Sequence, residues 1–419
     1  MKGLVLRSHG KTLLDGKLVQ GVRAMIDKFT TVYAGHIDMP DRGKEATPAN
    51  DRRFSEEELR GVFGKLERVT KVMDGLGYHS MWMAEHHFQH EGYEVIPNSL
   101  MAAVHLCHIT EQIKIGCGFN IAPMWHPLRL AEDYAQADIM TQGRTIFGVG
   151  RGYHSREVET FGNPMIDQDA NRDLFEEQVE VIFKAFYEDS FSHKGKHYTI
   201  PAEVPYRGYD LKEITVVPRP VNQPVECWQP VVSAKPHSLD FMHKYGMKGF
   251  IGGGAATLEA GPIRAYQEAG QRAGKDLDLG EGLNIGLHMY LGETREQAIR
   301  EITPFFEEHA KMFGPLGFLP GLSQAQLDII AQPGDWYAQG VPTIENYMDM
   351  GAWFAGTSDD LIELIKGLEE QFPGLEYVNL SMPMCTPETA MIEQYTKIAE
   401  EVMPHFGGGE HAKVKVAAE

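Results

Sequence analysis

The stretch Ser80-Met81-Trp82-Met83-Ala84-Glu85-His86-His87-Phe88 decides how this chain folds. Its opening apolar run has the character of a short buried strand. The run stops abruptly in three adjacent ionisable side chains. A parallel α/β barrel places its chemistry at such a junction, because the loops leaving the carboxyl ends of its strands build the active site. Two neighbouring imidazoles there can hold and return a proton near neutral pH. The plainer alternative makes one a structural hydrogen-bonding group and leaves the other in solvent.

Outward from this edge, strand-like and helix-like segments alternate, as parallel βα units require. A first strand is expected at residues 3–6. Ser55 followed by Glu58 is a capping box, and its helix runs to about Leu76 with Gly77 as the stop. Strands follow at 113–119 and 144–149, separated by a helix that His126-Pro127 opens. A long helix covers 171–187, and later strands fall at 231–233, 249–252, 285–291 and 376–380. These make roughly eight βα units, the number a closed barrel needs. The expected fold class is therefore α/β, a (β/α)8 TIM barrel with insertions, as one domain over residues 1–406. The stretches at about 10–54, 190–228 and 311–350 are too long for ordinary connections and read as insertions. The last of them, with five glycines, reads as a lid. Residues 407–419 read as a flexible tail.

Composition narrows the function. The formal charge of −20 disfavours nucleic-acid and anionic-membrane partners, which call for basic patches. The chain has no apolar run of membrane-spanning length, and its first residues lack a secretory pattern, so a cytoplasmic location is expected. Cys107, Cys117, Cys227 and Cys385 show no C-x-x-C spacing and read as reduced, buried thiols.

Two segments suit phosphate. Gly148-Val149-Gly150-Arg151-Gly152 has half of a dinucleotide fingerprint, without the later glycine or the acid that should follow. It reads better as a strand end whose glycines let a ligand approach while Arg151 offers a guanidinium. The alternative is a surface turn with an exposed arginine. Ser233-Ala234-Lys235-Pro236-His237-Ser238 opens a helix and offers backbone N–H groups, a hydroxyl and a lysine to an anion. Ser238 also reads as a simple N-cap. Glu85, His86, His87 and His90 lack metal-ligand spacing, so no metal is expected. Trp82, Phe119, Trp125 and Tyr153, near strand ends, suit either an aromatic cofactor's pocket or core packing.

Together these pieces resemble the bacterial luciferase family of flavin-dependent monooxygenases. The resemblance runs over residues 61–406 with breaks at the insertions. It rests on Trp82 with Glu85-His86-His87-Phe88, and on His126-Pro127-Leu128-Arg129-Leu130-Ala131-Glu132-Asp133. Gly143-Arg144, the 148–152 loop with Phe161-Gly162, Ala355-Gly356-Thr357-Ser358 and Glu401-Val402-Met403-Pro404 extend it. It implies reduced FMN, delivered by a separate flavin reductase, bound at the carboxyl face of the barrel. It also implies O2 as co-substrate and oxygenation of a small apolar organic compound through a flavin C4a-(hydro)peroxide.

By motif, His86 matches the catalytic histidine, and Arg151 with Gly152 the FMN phosphate loop. Ser233 and Ser238 match a phosphate-binding segment. Ala84, Gly118, Phe119 and Asn120 match the backbone under the flavin, with a cis non-prolyl peptide at Gly118-Phe119. Trp125 and Tyr153 are expected against the substrate, and a homodimer is implied. Gly150 stands where luciferase has a reactive cysteine, so neither light emission nor an aldehyde substrate is carried over. The competing expectations are deazaflavin-dependent hydride transfer and a non-catalytic flavin-binding barrel.

Overall fold

The computed structural model describes residues 26–252, 260–319 and 321–407, with the backbone of three short antiparallel strands at Arg7–Ser8, Lys11–Leu14 and Lys17–Gln20. The strand expected at 3–6 lies outside the described residues, as does the tail beyond 407.

Eight parallel strands close on themselves: β1 (Lys28–Tyr33), β2 (Ser80–Met83), β3 (Lys114–Cys117), β4 (Thr145–Gly150), β5 (Cys227–Pro230), β6 (Lys248–Ile251), β7 (Leu283–Leu291) and β8 (Tyr377–Ser381). Each pairs in parallel with the next, and β8 returns to β1, with Val378 opposite Phe29. The expected barrel is present. Its first strand, however, lies inside the 10–54 stretch that reads as an insertion. Phe29-Thr30-Thr31-Val32 is fully or partly buried on both faces, and two threonines mask its apolar character. The barrel satisfies their hydroxyls: Thr30 donates to the Val378 carbonyl at 3.3 Å, and Thr31 meets the Tyr395 hydroxyl at 2.9 Å.

The fifth strand likewise comes earlier than expected, at Cys227–Pro230 rather than 231–233, so the second insertion stops at residue 226. Prolines at 224 and 230 frame so short a run that its strand character is hidden.

Helices cover the outside. α1 (Glu56–Gly75) opens on the capping box: Glu58 N–H donates to Ser55 Oγ at 3.3 Å, and Ser55 N–H to Glu58 Oε2 at 2.8 Å. Its Val62, Leu66, Val69 and Met73 form the stripe turned to the barrel. α2 (Ser99–His108) and α3 (Pro127–Met140) are capped by Asn98 and His126. α4 (Gln168–Tyr187), α5 (Pro236–Lys244), α6 (Gly261–Arg272), α7 (Arg295–Phe313), α8 (Ser358–Gln371) and α9 (Glu388–Lys397) complete the ring. No helix among the described residues is long and apolar enough to cross a membrane. All four cysteines are buried free thiols.

Inside the barrel, Trp82, Ile146, Trp228, Phe250 and Tyr377 pack together, with Phe119 and Val32 against them. A Cβ on Gly116 would lie 2.3 Å from the Trp82 ring, so only glycine leaves room for that indole. At the amino end, Glu226 pairs with Lys248 at 2.8 Å and Lys114 at 3.6 Å. The carboxyl mouth is built differently. After α7, the 311–350 insertion leads to an extra parallel strand at Trp353–Gly356, laid along the second half of β7. It shares a second core with α7, centred on Phe306, Trp336, Tyr347 and Trp353.

Candidate active site

His86 lies just past the carboxyl end of β2 and is 4 % exposed. Its N–H donates to the Ile96 carbonyl at 3.0 Å, which fixes the loop. Both ring nitrogens are engaged. Nδ1 lies 3.3 Å from each carboxylate oxygen of Glu157, while Nε2 lies 2.9 Å from the Tyr153 hydroxyl and 3.2 Å from Glu94 Oε1. The Tyr153 hydroxyl donates its one proton to Glu94 at 2.9 Å. Its oxygen is therefore left to accept from His86 Nε2–H, and Glu157 accepts from Nδ1–H. The cage suits a doubly protonated imidazolium.

Electrostatics agrees with that geometry. Burial alone would pull the His86 pKa down, but Glu94 and Glu157 more than offset it, and the pKa lies above the ordinary 6.5. Burial works to raise the Glu157 carboxyl; His86, His154 and the His87 N–H win, and it stays below 4.5. The Tyr153 hydroxyl is pushed far up by burial and by Glu94, so it remains protonated.

Stability from the His86–Glu157 pair should therefore have two limbs. The His86 contribution is complete below its unfolded value and fades as pH rises through its raised folded value. The Glu157 contribution is complete above its unfolded value and fades as pH falls through its depressed folded value. Urea denaturation of the wild type and Glu157→Gln should differ most between about pH 4.5 and 6.5, the two ordinary values. A difference independent of pH would contradict the ion pair.

Glu85 and His87 play another part. Glu85 accepts from Ile121 N–H at 3.0 Å, from Trp125 Nε1 at 2.9 Å and from His87 Nε2 at 3.2 Å. It thereby ties the β2 edge to the turn after β3. Trp125, expected against substrate, has its indole N–H committed to this anchor. Tyr153, also expected there, has its hydroxyl committed to His86 and Glu94. His86, His154 and Glu157 bring potential ligand atoms within 4.8 Å of one another. His154 Nε2 pairs with Glu94 Oε2 at 3.0 Å, which joins His154 to the same network.

The remaining expected residues ring the same mouth. The Gly118–Phe119 peptide is cis, as the resemblance implies. Ala84 is buried just past β2, and Phe119 meets Trp82 and Phe250. The Asn120 amide is spent within the fold, accepting from Ser99 Oγ at 3.0 Å and donating to the Gly148 carbonyl at 2.9 Å. Gly148 and Gly150 close β4 and Gly152 follows it, and on the side where a side chain would stand protein packs closely against them. A Cβ on Gly148 would lie 2.0 Å from the Cys117 carbonyl, and one on Gly152, at φ +83°, 2.8 Å from Val158. They serve close approach of protein to protein.

Arg151 is half-buried, donates to Gln168 Oε1 at 2.7 Å, and has no carboxylate partner among the described residues. β4 pairs with β5, and Glu176 of α4 pairs with His237 at 2.7 Å, so the end of β4 lies beside the start of α5. There Lys235, not Ser238, is the N-cap; Ser238 sits in the first turn and Ser233 in the loop before it.

Sequence reasoning missed Glu94, His154 and Glu157. They lie 8, 68 and 71 residues after His86 with no motif linking them, and only the fold brings them to one imidazole. Arg151, Tyr153 and His154 lie in the connection after β4, and Glu157 in the short helix Ser155–Val158 that follows at once. Two of the three partners of the buried imidazole, Tyr153 and Glu157, are thus set on one short piece of chain with a guanidinium bonded, among the described residues, only to an amide. Glu94 reaches the ring from the loop after β2.

A parallel barrel with an acid–base cage at its carboxyl mouth belongs to the enzymes whose chemistry is built on strand ends. This chain is a member of the luciferase-like monooxygenase family, whose sequence profile matches residues 44–373. The oxygenase component of a flavin-dependent trigonelline monooxygenase from Acinetobacter baylyi is 26% identical over 197 residues. That match covers 47% of this chain, which spans only 50% of that protein. Limonene 1,2-monooxygenase of Rhodococcus erythropolis is 23% identical over 355 residues, 81% of this chain and 80% of that protein.

Among solved structures, the oxygenating constituent of 3,6-diketocamphane monooxygenase from Pseudomonas putida, in complex with FMN, superposes with a TM-score of 0.65. It is 18% identical, covering 91% of this chain and 98% of that one. The fold is shared with an F420-dependent secondary alcohol dehydrogenase at a TM-score of 0.62 and 15% identity, covering 91% and 99%.

Proposed function

We propose that this chain is the oxygenase component of a two-component flavin monooxygenase. It takes reduced FMN from a separate flavin reductase and places one oxygen atom of O2 on a small, largely apolar organic compound. The observation that carries this reading is the connection after β4. It sets a guanidinium without a carboxylate partner among the described residues on the same short piece of chain as Tyr153 and Glu157, two partners of the buried imidazole.

The residues fit a flavin nucleotide. Arg151 offers a partly desolvated fork to a phosphate, and the first turn of α5 adds N–H groups and the Ser238 hydroxyl beside it. Val232 and Ile166 are exposed apolar side chains bordering these two segments, suited to a ring system. When bound, reduced FMN supplies the electron pair that lets O2 be divided between substrate and water.

The protein's share is positioning and proton supply. Glu157 holds the His86 ring through Nδ1, and Nε2 is the atom at which a proton is given up or recovered. Phe318 of the 311–350 insertion packs edge-on against Tyr153 at 4.8 Å, which supports that segment as a cover excluding water. Exposed Met101, Ile139 and Met140 on α2 and α3 support pairing with a second copy, which analytical ultracentrifugation tests.

The function is tested by mixing the protein anaerobically with reduced FMN and then admitting O2 over a panel of cyclic and aromatic compounds. Oxygen uptake above that of free reduced flavin, dependent on one of them, is the expected result. Tight binding of a reduced deazaflavin with no oxygen uptake would move the reading to hydride transfer. Arg151→Ala should weaken FMN about 10- to 100-fold, the value of a charged hydrogen-bonded contact, and leave riboflavin affinity unchanged. Equal losses for both flavins in titrations followed by fluorescence would remove Arg151 from the phosphate site.

A further inference from the structure

A run of rings leaves the His86 cage and ends at a second pair of histidines. Tyr153 meets Phe318 at 4.8 Å, Phe318 meets Phe313 at 5.8 Å, and Phe313 meets His309 at 4.4 Å. His309 then meets His288 at 4.6 Å, and both touch the Trp353 ring, at 5.0 and 4.8 Å. His288 alternates along β7 with the same face as Asn284, whose amide bonds Thr30 across the barrel at 3.0 Å. It therefore faces inward, two rows nearer the mouth. His309 arrives from α7 and is 6 % exposed.

The Nδ1 atoms of both histidines are buried and have no hydrogen-bond partner. Buried polar atoms are nearly always satisfied, and a pair left open at one spot needs a reason. Apolar side chains would pack this corner at lower cost unless a ligand atom completes the contacts. Burial pushes His288 down to about 4 and also drives His309 down, so both rings are neutral at physiological pH. A neutral imidazole offers one N–H and one lone pair, which suits a carbonyl or hydroxyl oxygen better than a carboxylate.

We infer that His288 and His309 are specificity-determining residues that read an uncharged oxygen on an aromatic or cyclic substrate, whose apolar body lies along the Tyr153–Phe318 wall. Their part in oxygenation rests on the monooxygenase reading above; the binding preference itself does not. A site built to hydrogen-bond an oxygen discriminates against the analogue that lacks it, because its own polar atoms are then left unpaired.

The test uses two probes of one shape, acetophenone and α-methylstyrene, in which C=CH2 replaces C=O. Calorimetric titration of the full chain should show acetophenone binding about five- to tenfold more tightly, the yield of one neutral hydrogen bond. Spectra of protein labelled with 15N-histidine should show imidazole signals moved by the ketone and not by the hydrocarbon. His288→Phe and His309→Phe should bring the affinity ratio to about one. Equal affinities in the wild type, a ratio unchanged in both variants, or saturable binding of neither probe would each overturn the inference. The wild-type titration and spectra decide the matter even where a variant fails to fold. Reduced FMN binding, measured in parallel, keeps the two readings apart: its absence sinks the monooxygenase proposal, while the ketone preference stands or falls separately.

Discussion

His86→Ala is expected to lower substrate oxygenation by about 10²- to 10⁴-fold, the usual worth of a positioned acid–base group, with reduced flavin still bound. The imidazole is held from both sides, by Glu157 on Nδ1 and by Tyr153 and Glu94 on Nε2, and Arg151 is untouched by the change. Binding and turnover should therefore separate. Glu157→Gln should act more mildly and in a diagnostic direction. Losing that carboxylate lowers the His86 pKa, so the alkaline limb of the rate profile should move to lower pH. Single-turnover rates with pre-bound reduced flavin test both statements. Unchanged turnover in His86→Ala, or an alkaline limb that Glu157→Gln does not move, would remove the imidazole from the chemistry.

Glu308→Ala should carry the largest stability loss, about 3–5 kcal/mol, because it strips buried Lys311 of its carboxylate and leaves buried Arg52 only the exposed Asp41. Glu308 is fully buried on α7 and accepts from Arg52 Nε at 2.9 Å, Tyr93 Oη at 2.5 Å, Lys311 Nζ at 3.1 Å and Gly43 N–H at 3.0 Å. Those donors come from the loop after β1, the loop after β2 and α7 itself, so one carboxylate fastens the helix leading into the 311–350 insertion to the barrel. Arg52 and Lys311 are almost fully buried, and water cannot readily replace the lost partner. Urea denaturation should show the midpoint fall sharply, with proteolysis appearing first in the 311–350 segment. A loss below about 1 kcal/mol, the range of surface pairs, would show that the network is dispensable.

The barrel and one half of the site were legible without coordinates. The run ending at Glu85-His86, the capping box at Ser55 and the His126-Pro127 helix start are local signals, and each lies where its spacing places it. The first strand was not legible, because Thr30 and Thr31 look polar until partners elsewhere in the barrel, Val378 and Tyr395, satisfy them. The fifth was too short between prolines to register. The 148–152 glycines were legible as special, but their close approach to the Cys117 carbonyl and Val158 was not, because those neighbours come from other parts of the chain or from beyond the loop.

Sequence alone determined the strand–helix alternation, the edge at which a proton can be handled and the cation that follows β4. Those follow from periodicity and from residue chemistry read within a few positions. Tertiary structure alone decided which carboxylates cage His86, and that Tyr153 serves the imidazole. It also decided that His288 and His309 meet with their Nδ1 atoms unspent. Such contacts join residues up to 71 positions apart in the cage, and barrel closure brings them together. Burial then sets the charge each group carries, and no linear pattern encodes it.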